Sequence, residues 1–128
     1  MRIVIGGVGQ LYQGDLDLGR HAVESLSSLG WGPDVVVEDF HYGAVAVSQR
    51  LDELEPDALI LVGAEPRGRP PGTIQRTRVD RSMPDFSQAR DSVEAAVTGY
   101  VDIDLVIDVI KTLGSAPKRI VVYQVDPK

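Results

Sequence analysis

The chain opens on Ile3-Val4-Ile5, a continuous β-branched run that ends in Gly6-Gly7-Val8-Gly9-Gln10. An unbroken apolar run reads as a strand covered on both faces, and such strands belong to parallel sheets. A short loop then leads through Gly14-Asp15-Leu16-Asp17-Leu18-Gly19 into a helical pattern. Parallel strands need crossover connections, so strand, glycine turn and helix together point to an α/β layout. Open α/β sheets keep their sites at the carboxyl ends of the strands, and this turn puts backbone amides and carboxylates there.

The alternation continues. Asp15 or Asp17 is placed to N-cap the first helix, with Leu18, Ala22, Leu26 and Leu29 on its inward face and Gly30 as its stop. Pro33-Asp34 turns into Val35-Val36-Val37, a second buried strand that ends at Glu38-Asp39. A second helix over 43–54 turns Ala44, Val47, Leu51 and Leu54 inward. Ala58-Leu59-Ile60-Leu61-Val62 is a third buried strand, ending at Gly63. Residues 66–72 are a loop by composition, and 81–90 are turn-like. Between them, 73–80 alternate around Ile74 and Val79 as an edge strand does. Ile103, Val106, Ile107, Ile110 and Leu113 form a helical face, stopped by Gly114 and Pro117. Arg119 to Val125 is the last strand. The expectation is one domain over residues 1–128, a three-layer α/β/α sandwich. Its five-stranded sheet is mostly parallel, and the short Pro-Pro-Gly connection makes the fourth strand antiparallel at an edge.

Charge narrows the partners. The 19 acids outnumber the 13 lysines and arginines for a net charge of −6, which argues against nucleic acid. Arg67, Arg69, Arg76, Arg78 and Arg81 nevertheless lie within one stretch whose only acid is Asp80. They read as a solvated, arginine-protected edge strand, with an anion- or partner-binding edge as the alternative. With no cysteine, disulfides, thiolate metal sites and cysteine nucleophiles are excluded. No apolar run is long enough to span a membrane, and no basic n-region precedes the first strand, so a cytoplasmic location is expected.

Other chemistry is thin. Gly7-x-Gly9 lacks the third glycine of a dinucleotide fingerprint, although Asp39 ends the second strand where a ribose-binding acid would. These glycines are better read as a turn of unusual φ/ψ and a close backbone approach. No phosphate-binding P-loop and no G-x-S-x-G elbow is present. His21 reads as a surface residue, and Asp102, Asp104 and Asp108 as a solvated helix face. Tyr42, beside His41, is either a peptide-contacting aromatic or ordinary loop packing.

Taken together, several segments resemble the hydrogenase maturation endopeptidases, the metal-dependent proteases that trim the large subunit of nickel–iron hydrogenases. The matching pieces are Gly7-Val8-Gly9-Gln10, Gly14-Asp15-Leu16-Asp17-Leu18-Gly19, Asp39-Phe40-His41, Pro71-Gly72-Thr73 and Pro117-Lys118-Arg119, in the family's order along the whole chain. The resemblance implies that three side chains bind the nickel of the immature subunit: an acid after Gly-Asp, an aspartate ending strand three and a histidine before the late helix. Here the matched positions hold Leu16, Gly63 and Gly99, which carry no donor. The expectation is therefore a non-catalytic relative with no metal or cofactor of its own. It would bind a hydrogenase large subunit or a maturation partner through Gly7, Asp39, His41, Tyr42 and Glu65 at the strand ends. The alternatives are an active processing endopeptidase with a site rebuilt from Asp17, His41 and Glu65, engaging the nickel of its substrate, and an α/β small-molecule binding module. In the family a further helix covers part of the sheet after the last strand. Here Val121 and Tyr123 are expected to leave a patch for a homodimer or hetero-partner contact.

Overall fold

Side chains alternate across a strand, so each apolar run supplies two faces, and the helices decide which is sealed. The computed structural model describes residues 1–8, 18–40, 43–64, 68–79, 90, 91, 94 and 103–126. Its strands are β1 (Ile3–Gly7), β2 (Val35–Asp39), β3 (Ala58–Ala64), β4 (Ile74–Val79) and β5 (Arg119–Val125). Its helices include α1 (Leu18–Ser27), α2 (Ala44–Leu54) and α3 (Ile103–Thr112), and residues 90, 91 and 94 are also helical. The sheet order is β2-β1-β3-β5-β4. All neighbours are parallel except β4 and β5, which pair antiparallel at the edge. The expected α/β architecture is thus the observed one.

One face carries the main core. Val4 of β1, Leu59 and Leu61 of β3, and Ile120 and Val122 of β5 are buried. They cluster with Ala44, Val47 and Leu51 of α2 and with Ile103, Val106 and Ile110 of α3. The last helix is short and strongly apolar, and its inward residues are those expected, with Leu105 and Val109 added. Leu113 lies past its end and is exposed, and Gly114 at φ 77° turns the chain away.

The opposite face is carried by α1, and two expectations change there. Leu29 is 64% exposed, because α1 ends at Ser27 and a turn from Leu29 N–H to the Leu26 carbonyl swings it outward. Val23 instead faces the sheet, over Gly7. The second change concerns β2, read as fully buried; its five residues are all half-buried because it is the sheet's other edge. A β-branched run reports strand propensity strongly but edge position weakly.

Backbone bonds fix the strand ends that matter for a site. Val8 N–H donates to the Val62 carbonyl and Phe40 N–H to the Gly7 carbonyl, both at 2.8 Å. At the opposite end, Arg2 donates to the Leu54 carbonyl and the Asp57 carboxylate. Outside the core, Arg50 of α2 pairs with Glu38 and Glu53. The hydrogen bonds that its guanidinium donates to Glu38, and then to Glu53, hold its pKa above the ordinary value. Among the described residues no helix is long and apolar enough to cross a membrane.

Candidate functional site at the strand carboxyl ends

Gly7 and Asp39 end neighbouring parallel strands and sit directly opposite each other. Both therefore point to the α1 side of the sheet. Gly7 is buried beneath the helix: a Cβ there would lie 2.1 Å from the Gly19 carbonyl oxygen and 2.5 Å from Val23 Cγ2. Gly19 is equally tight, with a hypothetical Cβ 2.2 Å from the Val8 carbonyl oxygen. Neither Gly6 nor Gly7 has a positive φ. The expected close approach is present at Gly7, whose φ is not positive; Gly9, the other glycine of the expected turn, falls outside the described residues. Gly6 faces the other way and makes room for the fully buried ring of Phe40, whose Cε2 would lie 2.2 Å from a Cβ.

Asp39 keeps carboxylate Oδ1 out of solvent at the mouth of this arrangement. Gly63, one residue beyond the Val62 partner of Gly7, points to the opposite face, toward α3. A Cβ at Gly63 would lie 2.7 Å from the Val8 carbonyl oxygen and 2.9 Å from Ile103 Cδ1. The first residue of α3 thus fills the place where a longer side chain would stand. Gly63→Asp is expected to lower the urea midpoint, by about 1–2 kcal/mol of overpacking. An unchanged midpoint would show that Ile103 yields without cost.

Across the sheet, a second cluster pins a loop against the end of β5. Arg69 N–H donates to Asp126 Oδ2 at 2.9 Å, and Arg69 Nε to Oδ1 at 2.7 Å. Arg69 Nη2 lies 2.6 Å from Oδ1, and Nη1 also donates to Gln75. Asp126 is only 3% exposed. Between these partners, Thr73 N–H and Oγ1 both donate to the Pro70 carbonyl. Gly72 takes φ 87°, as the third residue of a Pro-Gly turn requires. Gly72 N–H and Asp126 N–H then continue the β4–β5 ladder. The sequence placed Arg69 among the edge arginines. A partner 57 residues away leaves no local signal.

Of the sequence-selected residues, Gly7, Asp39 and Gly63 lie in this region. Leu16, Asp17, His41, Tyr42, Glu65 and Gly99 fall outside the described residues. Among the described residues, no three histidines or acids come together as a metal-holding group. His21 is exposed on α1, 4.0 Å from Glu24.

Solved structures decide what this architecture is like. A NiFe hydrogenase maturation protease, HycI from Thermococcus kodakarensis KOD1, superposes with a TM-score of 0.72 at 20% identity, covering 99% of this chain and 74% of that one. The hydrogenase maturating endopeptidase HybD from E. coli gives 0.70 at 20% identity, with coverage of 100% and 75%. This is the hydrogenase maturation endopeptidase fold. A hydrogenase 2 maturation peptidase from a Thaumarchaeota archaeon agrees, at a TM-score of 0.66 and 20% identity, covering 100% of this chain and 80% of that one. No protein-family model matches the chain, and no curated protein matches it. Within the maturation-endopeptidase fold, the glycine seats of α1, the Asp39 carboxylate and the closed Gly63 position lie at or beside the carboxyl edge of the sheet.

Proposed function

We propose that this chain serves nickel–iron hydrogenase maturation as a non-catalytic binding protein. It would hold a large subunit, or another maturation partner, at the carboxyl edge of the sheet without cutting it. One observation carries the reading. Position 63, matched to the aspartate that ends strand three in the endopeptidases, has no donor atom, and Val8 and Ile103 occupy the room for one. Leu16 and Gly99, at the other two matched positions, are also without side-chain donors. The three residues do not fit a nickel ion. Asp39, His41, Tyr42 and Glu65 remain the contacts proposed for a protein partner, while Gly7 seats α1.

The test is co-precipitation with a nickel-loaded large-subunit precursor, followed by mass analysis of the precursor's C-terminus. Retention of an uncut precursor, weakened by Tyr42→Ala or Glu65→Lys at unchanged thermal stability, is the expected result. Cleavage that requires Asp17, His41 and Glu65 would replace this reading with an active, rebuilt endopeptidase. A precursor that is neither held nor cut would remove the maturation role. A bound small molecule in the purified protein would then favour a binding module.

A further inference from the structure

Around position 63 the carboxyl edge is built of main chain and hydrocarbon. The chain runs past Gly7 into Val8, whose N–H donates to the Val62 carbonyl and whose side chain is 3% exposed. Two glycines pack against the Val8 carbonyl oxygen. A Cβ at Gly19 of α1 would stand 2.2 Å from it, and a Cβ at Gly63 of β3 would stand 2.7 Å from it. Ile103, 1% exposed, closes the same place from α3, with Cδ1 at 2.9 Å and Cγ1 at 3.4 Å from the Gly63 Cβ position. The described acids nearby are turned elsewhere or already held. Asp39 is level with Gly7 on the α1 side of the sheet, whereas Gly63 faces α3. Glu38 is held by Arg50 and Asp126 by Arg69, each at 2.6 Å. Asp104 follows Ile103 but is exposed, about 100° round the helix from it.

We propose that this chain recognises the hydrogenase large subunit without reading its nickel, so that the metal-free precursor is bound as readily as the loaded one. The inference rests on the maturation reading above and fixes which state of the partner is taken. At position 63 the departure is more than a missing carboxylate, because the space for any side chain is filled. A nickel ion brought there would meet one carbonyl oxygen and a methyl group. Imidazole nitrogen is a ligand that suits nickel, and a single carbonyl oxygen does not make a site. Pressing a hydrated cation against Val8 and Ile103 strips water from it and returns no ligand. An ion that makes no differential contact shifts no equilibrium. Capture is then not gated by metal insertion, and the chain can hold the subunit before that step.

The test uses one large-subunit precursor, prepared nickel-free and nickel-loaded, with its metal content measured. Each form is titrated into the chain by calorimetry, and the two dissociation constants should agree within about threefold. Nickel chloride added to the chain alone should leave the amide signals of Val8, Gly63 and Ile103 in place. A preference of about tenfold or more for either form, or a stoichiometric nickel-induced change at those signals, would overturn the inference and leave the maturation reading standing. Binding of neither form would remove the maturation reading, and this inference with it.

Discussion

Gly7→Ala unfolds at a much lower urea concentration than the parent chain, with a loss of about 3 kcal/mol or more expected. A single methyl is a small addition, and in most strands it would be neutral or helpful. Here it would stand 2.1 Å from the carbonyl oxygen of Gly19, a backbone atom in the second residue of α1. No rotamer can relieve that contact. The helix must lift from the sheet, opening the contact of Val23 with it. Overpacking commonly costs about 1–3 kcal/mol, and a clash with backbone lies at the top of that range or beyond it. Total stability for a domain of this size is on the order of 5–15 kcal/mol, so the variant is near the edge of folding. Gly19→Ala should behave alike, since its own Cβ would meet the Val8 carbonyl oxygen at 2.2 Å. A midpoint within experimental error of the parent for both variants would mean that α1 does not sit this close in solution.

The second large effect is Arg69→Ala, expected to cost about 2–3 kcal/mol. The substitution takes the guanidinium from a carboxylate that is 3% exposed. Breaking a buried pair commonly costs about 3–5 kcal/mol; the estimate is lower because the Arg69 side chain is 24% exposed and its backbone N–H still reaches Asp126. Adding Asp126→Asn removes the stranded charge, so the double variant should be more stable than Arg69→Ala alone. Chemical denaturation of Arg69→Ala, Asp126→Asn and the double variant measures the coupling. A single variant within about 0.5 kcal/mol of the parent would make the pair an ordinary surface contact.

The order of elements was legible because each run is chemically unambiguous. Ala58-Leu59-Ile60-Leu61-Val62 has no competing helical period, and Ile103 to Ile110 has no competing strand period. The antiparallel edge strand was legible because Pro70-Pro71-Gly72 is too short for a crossover. The exposure of Leu29 was not, because the face of a residue just past a helix depends on where that helix ends. Nor was the half-burial of β2, since Val35-Val36-Val37 has the same composition in the middle of a sheet as at its edge. At the site, sequence showed that position 63 has no donor. It could not show that Val8 and Ile103 fill the space, because those contacts join segments 55 and 40 residues away in numbering.

The position of β5 also sets a schedule. It lies between β3 and β4, yet it is the last of the five described strands along the sequence, while β4 pairs with no other described strand. Until residues 119–125 leave the ribosome, β3 shows an open edge and β4 has no described strand to pair with. Three strands, β2, β1 and β3, can assemble first; the remaining two join in one event, with the Arg69–Asp126 latch available only after it. Non-local pairing of this kind is slow, and an open apolar edge invites association with other chains. A nascent chain held just short of β5 therefore leaves the β3 edge open to association with other chains.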